Sequence, residues 1–256
     1  MGLPPNSANA PSSKLSSEAR PPLGSIHFLT LFPELVRPGL ESSLMGKAVL
    51  RGLMRFGVTQ IRDFATDKHR TVDDTPYGGG EGMVLRADVL HAAWSSIVGQ
   101  APDRSRIRTI LLSPQGPRFT QSKAKELLSW EKLVLVCGHY EGVDERFIEL
   151  CCDEELSIGD YVLTGGELPA LVVADAVTRL VPGVVGNEQS VSRDSLEPGV
   201  GGETLLKYPQ YTRPREFQGH AVPEVLLGGN HGEIERWRLS QSRERTRRKR
   251  PDLLGS

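Results

Sequence analysis

The chain has only three cysteines in 256 residues, Cys137, Cys151 and Cys152, and two of them are adjacent. That number cannot build a disulfide framework; it suits reduced thiols, and a cytoplasmic location is expected. Neither CxxC nor HExxH occurs, so the common zinc signatures are missing and no metal site is expected from spacing. Long apolar runs are missing too. The stretch from Leu168 to Val181 carries Asp175 and Arg179, which excludes a membrane span there. There is no GxxxxGK[ST], and no GxGxxG follows a first strand, so the usual phosphate-binding loops are absent. Net charge is also lacking: Lys+Arg number 31 against Asp+Glu 32, a formal charge of -1. At face value that balance argues against a nucleic-acid partner, because phosphate contacts need clustered cations.

What is present describes a globular protein large enough to bury a core without disulfides. Charged residues at 25% and hydrophobic residues at 38% are ordinary values. Residues 1–24 hold five Pro and five Ser with almost no bulky apolar side chain, and read as a disordered tail. They lack the apolar centre of a signal peptide, and Asn6 stands where a myristoylation signal has Ser or Thr. A weak organellar transit peptide is compatible with the same composition.

From Ser25 the pattern alternates between strands and helices. Ile26–Leu31, Val58–Phe64, Arg108–Ser113 and Lys132–Cys137 read as strands, with a short strand-like stretch inside Glu154–Leu163. Helices are expected from Pro33 and over Ala87–Val98, Gln121–Trp130 and Leu168–Val181. The segment DDTPYGGGEGM, Asp73–Met83, contains Pro76 and four glycines and is expected to be neither helix nor strand. Continuous apolar strands between helices indicate an α/β fold with a mostly parallel, buried sheet. Ligands in such sheets collect at the carboxyl ends of the strands. Here those ends carry Ser113-Pro114-Gln115-Gly116, Gly138-His139-Tyr140-Glu141-Gly142 and Thr164-Gly165-Gly166-Glu167. Three glycine-bearing loops converging on one edge point to a pocket for a nucleotide-like ligand, approached by backbone groups.

Residues 186–204 are rich in Gly, Glu, Ser and Asp and read as a linker. The division expected is a tail at 1–24, a catalytic domain at 25–185, the linker, and a small, mainly helical domain at 205–256. Its helix candidates are Pro223–Leu227 and His231–Arg248. Between Arg236 and Arg250, eight basic side chains face only Glu244. The near-zero total therefore hides a strongly basic end, which suits either a solvated helix face or an RNA surface.

CGHYEGVDERF (Cys137–Phe147), SIGDYVLTGGELPA (Ser157–Ala170), DDTPYGGGEGM, LLSPQG (Leu111–Gly116) and YPQYTRP (Tyr208–Pro214) together resemble the bacterial tRNA (guanine-N1)-methyltransferase family, of the SPOUT class. The resemblance runs from about Ile26 to Leu239. It implies a C-terminal trefoil knot, an exception to the rule against knots, that binds S-adenosylmethionine. By the same resemblance the cofactor walls are Leu111, Leu112, Ser113 and Pro114, then Gly138, Tyr140 and Glu141, then Ile158, Gly159, Asp160, Tyr161, Val162, Leu163, Gly165, Gly166 and Pro169. The reaction implied is methyl transfer to N1 of guanine 37 in tRNA. Asp194 matches the general base that takes the N1 proton, and Arg179 the cation that stabilises O6. Glu141 matches a carboxylate linked to the methionine end and to magnesium (Mg2+) dependence. The family also implies a homodimer with active sites shared between subunits, and a C-terminal domain that holds the anticodon stem-loop.

Each residue also has a plainer reading. Asp194 in a polar linker could be a solvated aspartate, Arg179 a structural ion-pair partner and Glu141 a loop cap. His139 is assigned no catalysis, because the family also uses arginine at that position, and Cys137 reads as inert packing. Two alternative functions stay open: a ribose 2′-O-methyltransferase, which needs no base aimed at N1, and a catalytically silent RNA-binding protein.

Overall fold

The computed structural model describes residues 23–99, 103–186, 194–196 and 203–254. Its centre is a five-stranded sheet of β1 (Ser25–Thr30), β2 (Arg55–Gln60), β5 (Ile107–Leu112), β6 (Lys132–Cys137) and β7 (Glu154–Leu156). The spatial order is β2-β1-β6-β5-β7, and every pairing is parallel. The expected α/β class with a mostly parallel sheet is what the chain adopts.

Period-two alternation assigns each strand residue to one of two cores. Ile26, Phe28, Ile110, Leu112, Leu133, Leu135 and Cys137 face one core, and Leu29, Leu111, Val134 and Val136 face the other. The first core is covered by α1 (Pro33–Glu41), α2 (Ser43–Leu50), α4 (Gln121–Leu127) and α6 (Glu167–Thr178). The second is covered by α3 (Ala87–Val98) and α5 (Glu145–Cys151). The central strand β6 is buried on both faces, which is why Leu133–Cys137 reads as an unbroken apolar run.

Several details differ from the sequence reading. Val58–Phe64 is not one strand: β2 ends at Gln60, whose side chain caps a 3-10 turn over Ile61–Phe64. Asp73–Met83 is not wholly loop, since β3 (Asp73–Asp74) pairs antiparallel with β4 (Val84–Leu85). The glycines between them span that short ladder. Order begins before Ser25: Leu23, assigned to the tail, is buried in the first core, and Gly24 N donates to Glu131 O at 3.1 Å. The rest of the tail, 1–22, lies outside the described residues. Helices α2 and α5 were not anticipated, because each is a single short amphipathic segment of 8 and 7 residues.

Beyond the sheet, β8 (Glu216–Phe217) and β9 (His220–Ala221) form an unanticipated hairpin. Residues 218 and 219 both have positive φ, the geometry of a tight two-residue hairpin turn. The Pro223–Leu227 candidate is a 3-10 turn, Glu224–Leu226, and the basic segment is one helix, α7 (His231–Lys249). Thr246 of α7 accepts from Leu206 N at 2.8 Å and donates to Ser242 O at 2.7 Å, which ties the start of the segment to its helix.

The site-defining feature is how the chain returns from β7 to the sheet centre. Ser157 bridges to the 117–119 loop, with Ser157 N donating to Pro117 O at 3.0 Å and Phe119 N to Ser157 O at 2.7 Å. Then Gly166 N donates to Gly138 O at 2.9 Å, and α6 packs beneath β1 and β6. Both crossings need glycine. A Cβ on Gly116 would lie 2.5 Å from the Glu155 carbonyl carbon, and one on Gly166 would lie 2.7 Å from Cys137 Cα. Backbone cannot yield there as a side-chain tip could. Gly166→Ala should therefore destabilise the fold by about 2–4 kcal/mol, read as a thermal midpoint several degrees lower; an unchanged midpoint would contradict the crowding.

Candidate functional site

The three loops at the carboxyl ends of β5, β6 and β7 enclose an open cleft of about 300 Å³. Fifteen of the sixteen wall residues named from sequence line it: Leu111, Leu112, Ser113, Pro114, Gly138, Tyr140, Glu141, Ile158, Gly159, Tyr161, Val162, Leu163, Gly165, Gly166 and Pro169. Asp160 is the exception. Its carboxylate is paired with the Arg118 guanidinium, whose Nε donates to Oδ1 at 3.0 Å, so it braces the 157–163 loop from outside.

The cleft offers backbone more than side chains. Among the described residues the N–H groups of Ile158, Val162 and Leu163 have no protein acceptor, so they are free for a ligand with nitrogen or oxygen acceptors. Tyr140 holds φ +61, a left-handed conformation that costs a non-glycine residue about 1–2 kcal/mol. Such strain at a cleft wall is a mark of a functional site. These features fit the adenosine of S-adenosylmethionine: a slot of mixed polar and apolar lining with main-chain donors along one wall.

Glu141 sits at the cleft mouth beneath the glycine strap. Its N–H donates to Met83 O at 2.9 Å, and Leu85 N donates to Gly142 O at 3.0 Å. A Cβ on Gly82 would fall 2.4 Å from Glu141 Cγ, so the strap's glycines let it lie flat on the loop. No group of three His, Cys, Asp or Glu able to hold a metal occurs among the described residues. Glu141 could give Mg2+ one or two oxygens at most, leaving the rest of an octahedral shell to water or substrate. The described residues do not form a magnesium cage.

Behind the cleft is a buried cluster that the sequence reading passed over. Glu167, the first residue of α6, is 1% exposed. It accepts from Thr30 Oγ1 at 2.5 Å and pairs with His139 Nε2 at 2.6 Å. Burial, together with the charge of Glu167, pushes the Cys137 thiol well above its ordinary range, so that cysteine is unreactive packing.

Arg179 and Asp194 are brought together, at the other end of α6. Arg179 caps the helix C-terminus, where a cation suits the helix dipole. Its Nη2 donates to Asp194 Oδ2 at 2.5 Å, and Lys207 Nζ donates to Oδ1 at 2.9 Å. Lys207 was not anticipated; a lone lysine after a linker carries no pattern. Partial burial opposes the charged form of Asp194, but the hydrogen bonds from Arg179 and Lys207 outweigh it and hold the carboxyl below its usual range. The remainder of the linker, 187–193 and 197–202, lies outside the described residues. Along α6, ten residues separate Pro169 in the cleft wall from Arg179, a backbone rise of about 15 Å at 1.5 Å per residue.

On the C-terminal helix, Arg238, Arg243 and Arg250 are paired with Glu235, Glu203 and Asp252. Arg236, Arg247, Arg248 and Lys249 are exposed and have no carboxylate partner among the described residues. Tyr211 lies against Trp237, with ring centroids 6.4 Å apart, and Arg238 covers the Tyr208 ring. No helix among the described residues is long and apolar enough to cross a membrane.

Fold and cleft together define an α/β protein with a ligand site at the carboxyl edge of a parallel sheet. Residues 25–256 match the family model described as tRNA (Guanine-1)-methyltransferase TrmD, and the chain belongs to that family. The tRNA (guanine-N(1)-)-methyltransferase of Halalkalibacterium halodurans is 53% identical over 229 residues, 90% of either chain. The protein of that name from Lachnospira eligens is 50% identical over 227 residues, 89% of this chain and 93% of its own. That of Geobacter sulfurreducens is 51% identical over 226 residues, 88% and 89%.

The lowered Asp194 ionisation has a definite pH signature. Its two ion pairs contribute stability above the unfolded carboxylate value and lose it as pH falls through the lower folded value. The difference in thermal midpoint between wild type and Asp194→Asn should thus stay constant from about pH 5 to 8 and shrink only below about pH 4. Shrinkage already near neutral pH would contradict the ion-paired state.

Proposed function

We propose that the protein transfers a methyl group from S-adenosylmethionine to N1 of guanine 37 in tRNA, as a cytoplasmic homodimer with shared active sites. The observation that carries the reading is the pairing of Arg179 with Asp194 at one end of α6, with a backbone-lined cleft at the other. The C-terminal half of the knotted catalytic domain, on this reading, is the threaded segment from Ser157 through α6. The small C-terminal domain supplies the RNA surface.

S-adenosylmethionine supplies an electrophilic methyl on a sulfonium, which leaves as the neutral thioether once the methyl is transferred. The protein must supply a nucleophile, because guanine N1 carries a proton. Asp194 is charged and held at two points, Oδ1 by Lys207 and Oδ2 by Arg179. When guanine O6 takes the Arg179 guanidinium, Oδ2 is released toward N1–H while Lys207 still fixes Oδ1. The N1 proton passes to Oδ2, and Arg179 stabilises the charge that spreads to O6. A carboxylate with a lowered pKa is a weak base, so the Arg179 contribution is required for the transfer. Adenine presents a donor at its 6-position and no proton on N1, and would fail both contacts.

The length of helix between Pro169 in the cleft wall and Arg179, a rise of about 15 Å, favours a partner. Leu168 and Val172 are 52% and 47% exposed and share a helix face with Asp175 and Arg179. Tyr161, Val162 and Leu163 at the cleft are also exposed. Uncovered apolar side chains on both sides of the separation suit a two-fold interface that sets one subunit's Asp194 over the other's cleft. The unpaired cations of α7 would contact phosphates of the anticodon stem.

Incubating unmodified guanine-37 tRNA with methyl-labelled S-adenosylmethionine should yield 1-methylguanine on nucleoside analysis; its absence with wild-type protein would end this reading. Asp194→Ala should lower turnover at least about a hundredfold with cofactor affinity nearly intact. Sharing is tested by mixing two inactive chains, Asp194→Ala and the cleft-blocking Ser113→Trp, under conditions of subunit exchange. Partial recovery of activity is expected, and none should appear if each chain works alone.

A further inference from the structure

The cluster behind the cleft has no part in the proposed chemistry, yet Thr30 and Glu167 are buried at 0% and 1% exposure. A carboxyl group at 1% exposure is costly to bury unless its oxygens are hydrogen-bonded. Each Glu167 oxygen has a partner. Oε1 accepts from Thr30 Oγ1, Oε2 is hydrogen-bonded to His139 Nε2, and the residue opens α6, where the helix N-terminus favours negative charge. Thr30 Oγ1 in turn accepts from Phe32 N at 2.9 Å. One carboxylate therefore joins the end of β1, the start of α1, the loop after β6 and the start of α6.

Only one member of this assembly reaches the cleft. His139 lines it, between Gly138 and the strained Tyr140. Its ring is held on three sides: by Glu167, by Phe32 with centroids 4.8 Å apart, and by the backbone at Gly165, where a Cβ would fall 2.1 Å from Nε2. A residue fixed so closely transmits its placement to both neighbours.

We propose that Glu167 is a positioning residue for the cofactor: acting through His139 and braced by Thr30, it holds the 138–142 wall in the shape that binds S-adenosylmethionine. The proposal rests on reading the cleft as the cofactor site. Glu167 touches neither methyl donor nor guanine, so its removal acts on cofactor binding and leaves the chemical step alone.

The test is calorimetric titration of S-adenosylmethionine into wild type, Glu167→Gln, Thr30→Val and Thr30→Ser, with steady-state methyl transfer and thermal melts on the same samples. Glu167→Gln and Thr30→Val should each weaken cofactor binding about tenfold and raise KM for the cofactor alike, with kcat at saturation nearly unchanged. Thr30→Ser restores the hydroxyl and should restore affinity, whatever it does to the melting point. In a His139→Ala background Glu167→Gln should change affinity by less than about twofold. Wild-type affinity in both Glu167→Gln and Thr30→Val, or full additivity with His139→Ala, overturns the proposal. A loss of folded protein with unchanged KM in the surviving fraction shows a purely structural role and overturns it too. A wild-type protein that fails to bind S-adenosylmethionine removes the cofactor reading, and this proposal with it.

Discussion

Two chain segments pass one another at backbone contact distance, and the ligand edge depends on that passage. Gly166 runs against Cys137 and Gly138, and Gly116 against Glu155 and Leu156. With no side chains between them, the segments hydrogen-bond across the gap, and their remaining amides become the wall of the cleft. The same passage sets where α6 starts, beneath β1 and β6, and hence where Arg179 finishes. A cleft lined by backbone and a helix aimed away from it are two results of one steric condition. Glycine meets that condition because it alone has no Cβ to place in the gap.

Charge is organised by segment, which is why a net value of -1 misleads. The carboxylates around the sheet are largely spent on local partners: Asp160 on Arg118, Glu154 on Arg108 and Lys123, Asp144 on Arg146. On α7 cations outnumber carboxylates, so several remain uncompensated and solvated. An exposed pair contributes little to stability, whereas an exposed unpaired cation is available to a phosphate. What distinguishes the C-terminal helix is the number of arginines left over after pairing.

Much of this was legible in the sequence, and what was not follows a physical pattern. The parallel sheet could be read because its central strands are buried, so Leu133–Cys137 and Ile110–Leu112 show as apolar stretches. The cleft could be read because glycine-bearing loops follow three strands. Helices α2 and α5 were missed because one or two turns carry too few apolar repeats to register as a period. Asp160 alone among the named wall residues does not line the cleft, because only the fold supplies its partner Arg118. Glu167 was overlooked for a related reason. A glutamate opening a helix is ordinary in sequence, and nothing local indicates that Thr30 and His139, 137 and 28 residues away, will bury it.

Helix α6 ties these observations together. Its first residue anchors the cleft wall, its exposed face carries Leu168 and Val172, and its end presents Arg179 to Asp194. A helix is stiff, and α6 is packed on the sheet through Ala170, Val173, Ala174 and Val177, so those three features keep a fixed spacing along it. In this structure the carboxylate is paired with Arg179 and Lys207. On the proposed reading the carboxylate meets the donor only when a second subunit is present, and it is released from Arg179 only when a base with an acceptor at the 6-position arrives. Assembly and base identity then act on one ion pair, and a cofactor-loaded cleft without both has no base within reach of a substrate proton.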